Sequence, residues 1–158
     1  MATLIEFFDV PPSADQAFLS DWERERDAGS LFRALRDDVA ARFVAVTPDA
    51  GRFEIVHEDG DVDGAGGVTL IEPFEIAPGG DERFLADWQR LRTLFAASRG
   101  YLGGRLHRAG ADGEGFPYVG IGRWSSPLMR HRALQRPDVQ TAAGSLRSHP
   151  GLYERIRG

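Results

Sequence analysis

Cysteine, lysine and asparagine are all absent from this chain of 158 residues. Without cysteine there is no disulfide, no thiolate nucleophile and no cysteine-bound metal. Without lysine, Schiff-base chemistry has no amine to start from, and all 19 basic side chains are arginine. The 24 acidic residues give a formal net charge of -5, so the concentrated basic face that nucleic acid needs is not expected. No apolar run approaches the ~20 residues that span a bilayer, and no membrane partner is expected. The opening MATLIEFFDV lacks the basic n-region of a signal peptide, which makes the cytoplasm the expected location. Neither a phosphate loop nor a dinucleotide fingerprint occurs, so no nucleotide cofactor is expected. The histidines in RLHR and HRAL lack metal-ligand spacing, and no metal is expected.

What the chain does contain is an internal repeat. LIEFFDVPPSADQAFLSDWER (4–24) lies over LIEPFEIAPGGDERFLADWQR (70–90) at an offset of 66, with 11 of 21 positions identical. Among the identities are Glu6/Glu72, Phe18/Phe84 and Trp22/Trp88. At an offset of 75, LFRALRDD (31–38) and FVAV (43–46) match LHRAGADG (106–113) and YVGI (118–121). GRFEIV (51–56) then matches GLYERI (151–156) at an offset of 100. The first copy is therefore shorter by 9 residues after its tryptophan helix and by 25 more before its last strand. Between the copies, the acidic, glycine-rich EDGDVDGAGG (58–67) reads as a linker.

In the second copy, GVTLIEPFEI (67–76) reads as a strand, followed by a helix with Asp81 as its N-cap. Phe84, Leu85, Trp88, Leu91 and Phe95 form one apolar helical stripe, and Gly100 ends it. YLGGRLHR (101–108) and FPYVGIGRW (116–124) read as an antiparallel pair joined by AGADGEG. Ser126-Pro127 opens a second helix, broken or kinked at Pro137 and resuming through Val139 and Leu146, before a last strand LYERI. The order is β-α-β-β-α-β, the ferredoxin-like plait, and the first copy reads β-α-β-β-β without the second helix. The expected fold class is α+β. Two tandem ferredoxin-like units, 1–57 and 68–158, pack their sheets face to face as an intramolecular dimeric α+β barrel. A homodimer through the first unit is the other way to cover its bare sheet face.

The run PFEIAPGGDERFLADWQRLRTLFAASRGYLGGRLHRAGADGEGFPYVGIGRWSSP resembles the antibiotic biosynthesis monooxygenase family. The shared pattern is a strand-borne PFE, an F-L-x-x-W helix, GYLG-x-RLHR, and an aromatic strand ending in RW-x-S-P. The closing SHPGLYE is similar to members with a C-terminal strand of this kind. The resemblance covers about 68–157 well, and 1–57 in shortened form. It implies a pocket between sheet and helices, and cofactor-independent oxygenation of aromatic polyketides such as anthrones. Haem-degrading members and polyketide cyclases share the fold. The haem-degrading branch relies on an Asn-Trp-His set, which a chain without asparagine cannot complete.

Candidate site residues follow from both lines of reasoning. His107, mid-strand where the first copy has Phe32, is the candidate base, or else a solvated or barrel-facing histidine. Trp124 reads as an aromatic wall for a flat substrate or as a core tryptophan, whereas Trp22 and Trp88 read as core. Tyr118, with a hydroxyl able to polarise a phenolic oxygen, and Phe74 of the PFE motif are candidate substrate contacts. His131 on the second helix could face the same pocket or only the helix surface. Arg105 and Arg123 could hold an enolate, or could lie in the barrel interior or in solvent. Gly103, Gly104, Gly120 and Gly122 leave side-chain-free room on two adjacent strands. The expected function is a cofactor-independent monooxygenase acting on a small planar aromatic substrate, with its site in 68–158. A polyketide cyclase and a non-catalytic binding protein are the competing readings.

Overall fold

The computed structural model describes residues 2–25, 28–36, 39, 41–110 and 115–158. The first half contributes β1 (Ala2–Phe8), α1 (Asp15–Glu25), β2 (Ser30–Ala34), β3 (Phe43–Pro48) and β4 (Phe53–Gly60). The second contributes β5 (Val68–Glu75), α2 (Asp81–Ala96), β6 (Tyr101–Ala109) and β7 (Tyr118–Trp124). It continues through α3 (Pro127–Leu134), α4 (Pro137–Ala143), the two-residue β8 (Arg147–Ser148) and β9 (Gly151–Arg157).

Eight of these strands form a closed antiparallel barrel in the order β5-β7-β6-β4-β1-β3-β2-β9, with β9 returning to β5. Within each half the order is that of the plait: β4-β1-β3-β2 in the first and β9-β5-β7-β6 in the second. The halves meet edge to edge at two seams. At one, β4 pairs with β6 from Phe53↔Ala109 to Gly60↔Gly103. At the other, β2 pairs with β9 from Leu31↔Arg157 to Ala34↔Tyr153. The contact between the halves is an edge-to-edge closure, which leaves no long strand edge unpaired among the described residues.

Period-2 alternation sorts the side chains between the interior and the helix-covered outside. Ile5, Phe32, Val44, Phe53, Ile71, Val119, Ile121 and Tyr153 point inward and form one core. Outside, α1 packs through Trp22 onto Leu31, Phe43 and Ala45. In the second half, Phe84 packs on Phe74, Leu106 and Tyr118, while Leu91, Phe95, Val139 and Ala142 cover Val68, Leu70 and Trp124. Residues matched by the repeat take the same facing: Ile5 and Ile71, Val44 and Val119, and Phe53 and Tyr153 all point inward.

Several local expectations shift. Asp81 is the first helical residue rather than the cap, and Gly80 precedes it without a side-chain bond. The Asp81 carboxylate instead accepts the Tyr118 hydroxyl at 3.0 Å. Pro137 splits the second helix into α3 and α4, and Leu146 lies beyond α4. Ser126 caps α3 by accepting from the Met129 amide at 3.2 Å. Most of the AGADGEG loop, 111–114, lies outside the described residues.

The stretch read as a linker is tied down. Its first three residues finish β4, and Arg123 Nε donates to the Asp61 carbonyl at 2.9 Å. Arg123 also reaches the Ala65 carbonyl at 3.1 Å, and Arg155 donates to the carbonyls of Asp63 and Gly64 at 3.0 and 3.3 Å. Val62 packs against the barrel core, and guanidinium groups satisfy the segment's carbonyls.

The β2–β9 seam yields a stability prediction. The buried Tyr153 hydroxyl donates to the Ala41 carbonyl at 2.6 Å. Tyr153→Phe leaves that carbonyl unpaired, and it should lower unfolding free energy by about 1–3 kcal/mol. The check is the midpoint of urea unfolding; an unchanged midpoint would show that water replaces the bond.

Candidate active site

On the outer face of the second half, α2 does not lie flush on the sheet. Trp88, Leu91, Arg92 and Phe95 recur at helical spacing along its sheet-facing side. Beneath them the sheet carries Gly104, Gly120 and Gly122, with Gly104 and Gly122 directly opposite in register. Three missing side chains leave a cleft with a flat floor. Trp124, only 1% exposed, closes one end, with the Phe95 and Tyr101 rings set edge-on at 5.3 and 5.4 Å. The cleft encloses about 440 Å³ of unfilled space counted out to its mouth. Only about 50 Å³ of that is wide enough for a water molecule, well below the ~300 Å³ at which ordinary ligand pockets begin. The half-buried Trp88 and Arg92 lie over this narrow space, with Arg92 held by Asp59.

One carboxyl faces this cleft. Glu72 sits mid-β5 between the outward-facing Leu70 and Phe74, and its Oε2 accepts from Ser148 Oγ at 2.7 Å. Burial pushes its pKa above the usual carboxylate range, against the opposing pull of the Ser148 bond and the Arg130 charge. The pKa of Arg130 on α3 is lowered by burial, and its Nε is buried without a hydrogen-bond partner among the described residues.

The rim is polar and partly supplied by the first half. Asp59 of β4 accepts from Tyr101 Oη at 2.7 Å, Arg92 at 2.5 Å and His57 Nε2 at 3.0 Å. Burial would raise the pKa of Asp59, but the three hydrogen bonds together hold it below its ordinary value. The Tyr101 phenol moves up, first through burial and then through the Asp59 carboxylate. The His57 ring meets Trp88 edge-on at 5.2 Å. In the first half the equivalent floor is filled: Ala45 stands where the second has Gly120, and Phe8, Phe18 and Phe43 stack at 4.5–5.0 Å.

The structure separates residues that the sequence suggested as one site. Trp124 lines the cleft, but His107 lies on the opposite face of β6, inside the barrel. The sheet lies between them, so His107 is not a base for a substrate held against Trp124. Tyr118 and Phe74 are fully buried beneath the start of α2, the former spent on Asp81, and neither lines the cleft. His131 is exposed on α3 beside Leu134 and Pro150. The Arg105 guanidinium pairs with Glu58 and Asp63, and Arg123 holds the 61–67 segment, so neither charge is free for an enolate. Gly103 faces that segment, where a Cβ would come within 2.5 Å of the Asp61 amide.

Glu72, Tyr101, Arg92 and Asp59 escaped the sequence reading. Glu72 had a signal: it is a charge on the apolar face of an alternating strand, flanked at i±2 by Leu70 and Phe74. Asp59 had none, because it lay in a stretch whose composition reads as linker.

The raised pKa of Glu72 has a pH consequence. Its contribution to stability is fully present below the unfolded-chain pKa of about 4.3 and is lost as pH rises through the higher folded value. Relative to wild type, Glu72→Gln should therefore gain stability as pH is raised from about 4 through neutrality. Each unit by which the folded pKa exceeds the unfolded one is worth about 1.4 kcal/mol. Urea unfolding of both proteins across that range checks this; a constant difference between them would contradict a raised pKa.

No family model matches the chain, and no curated protein matches it. Solved structures do. An anthrone oxidase-like protein superposes with a TM-score of 0.72 at 12% identity, over 99% of this chain and 91% of its own. A heme-degrading enzyme from Listeria monocytogenes gives 0.63 at 15% identity, over 98% and 99%. A Shewanella loihica PV-4 protein described as a candidate monooxygenase gives 0.52 at 29% identity, over 60% of this chain and all of its own. Matches this broad at such identities are matches of fold. The chain has the ferredoxin-like α+β fold, drawn here as an eight-stranded antiparallel barrel with four helices, of proteins related to antibiotic biosynthesis monooxygenases.

Proposed function

We propose that the chain is a cofactor-independent monooxygenase of planar, aromatic polyketide-like compounds, working in the cleft between α2 and strands β5, β7 and β6. The observation that carries this reading is a half-buried carboxyl, Glu72, facing a glycine-floored cleft walled by Trp124, Tyr101 and Phe95. A flat ring system slides between the floor and the α2 side chains. Glu72, as its carboxylate, takes a proton from the activated carbon of an anthrone-type substrate. Its raised pKa makes it a stronger base than an ordinary carboxylate. The carbanion then passes an electron to dioxygen, the radical pair combines into a carbon–oxygen bond, Glu72 returns its proton to the peroxide anion, and the hydroperoxide sheds water to leave a carbonyl. One oxygen atom ends in product and the other in water. In a cyclase the same base would drive an aldol closure without consuming dioxygen.

The same proposal includes the history of the fold. Two ferredoxin-like units descend from one duplicated ancestor, the first lacking its second helix, and only the second keeps an open floor. Support comes from the 11 identities in 21 positions and from the common inward facing of matched residues.

Dioxygen uptake with anthrone-type substrates tests the activity. Glu72→Gln should lower kcat by about 10²–10⁴-fold, the range of a lost general base, while His107→Gln leaves it near wild type. Full turnover by Glu72→Gln removes Glu72 as the base. Product formed without dioxygen uptake favours the cyclase, and binding without turnover favours a carrier.

A further inference from the structure

His107 is built into the fold at some cost and is not used by the cleft. At the matching position of the first half, the Phe32 ring simply joins the barrel core. His107 is 1% exposed, with Nδ1 3.3 Å from the Val119 carbonyl oxygen. A carbonyl only accepts, so Nδ1 carries the proton and Nε2 keeps its lone pair. Burial lowers the pKa to about 4, and the ring is neutral at physiological pH. Among the described residues Nε2 has no hydrogen-bond partner, and His107 lines a cavity inside the barrel.

That cavity holds about 370 Å³ wide enough for water, several times the space in the helix-side cleft. Phe32, Val46, Ile55 and Ile121 give it apolar walls, with hydroxyls at Ser30 and Thr69. Charges gather at its mouth: Glu58 and Asp63 hold Arg105, the carbonyls of Asp63 and Gly64 hold Arg155, and Asp49 lies exposed there. Behind that mouth the walls are apolar, and a charged ligand would lose hydration that it cannot recover there. Nε2 thus faces a space in which a water or a ligand hydroxyl can donate to it. An eight-stranded barrel has an interior of the width that holds one small ligand.

We infer that the barrel interior is a second binding site, taking a small neutral aromatic alcohol whose hydroxyl donates to His107 Nε2. It is separate from the cleft and stands whether or not the proposed oxygenase activity does.

Calorimetric titration of the intact chain with 4-ethylphenol and with ethylbenzene, which has the same body but no donor, tests it. The phenol should bind at least tenfold more tightly, and His107→Leu should shrink that ratio below threefold. On wild-type protein labelled with ¹⁵N-histidine, the His107 Nε2 resonance should move with 4-ethylphenol and not with ethylbenzene, a readout independent of whether the variant folds. Gly122→Val fills the cleft but not the barrel, and should leave the phenol affinity unchanged. Equal affinities for the two compounds, an unmoved Nε2 resonance, loss of binding in Gly122→Val, or no binding at all would each overturn the proposal.

Discussion

Closure of the barrel at β4–β6 and β2–β9 is the constraint on which the rest of the structure depends. Either half alone would present two bare strand edges and an apolar sheet face. In the first half that face carries Ile5, Phe32, Val44 and Phe53. Open edges and apolar faces of this kind invite association with other chains. Joined, the halves pair each other's edges and bury each other's inner faces in one step. The acidic segment between them is then drawn against the barrel by Arg105, Arg123 and Arg155, which reach it from strands of the second half.

A closed sheet is also a partition. Along β6, Gly104 and Leu106 face α2, while Arg105 and His107 face the interior, so one nine-residue strand serves two compartments. The outer compartment combines aromatic walls, a half-buried acid and a rim to which the first half lends His57 and Asp59. The inner one combines apolar walls with a neutral imidazole acceptor. Gly120 and His107 stand where the first half has Ala45 and Phe32: Gly120 floors the cleft, and His107 brings a polar ring to a cavity that Phe32 also lines.

Much of this architecture was legible in the residues. The repeat fixed which strands correspond, and period-2 alternation with the tryptophan helices located the layers. The glycines on β6 and β7 announced room, and three of the four floor the cleft. What could not be read was the compartment each side chain enters. His107 and Trp124 lie on strands paired directly in the sheet, yet face opposite sides, because parity within each strand and the β6 bulge between Tyr101 and Gly103 decide facing. Sequence spacing alone does not reveal which face a helix will cover. Asp59 was hidden for another reason: its partners Arg92 and Tyr101 are 33 and 42 residues away, joined only by the fold.

Native-state hydrogen exchange across the seams tests the closed barrel most directly. If the two halves form one cooperative unit, amides of the β4–β6 and β2–β9 ladders should exchange only through global unfolding. Their opening free energies should equal those of the β5–β7 ladder inside the second half. Seam amides that open at markedly lower free energy than β5–β7 would mean that the halves are separately stable and merely adjoin, contradicting the account.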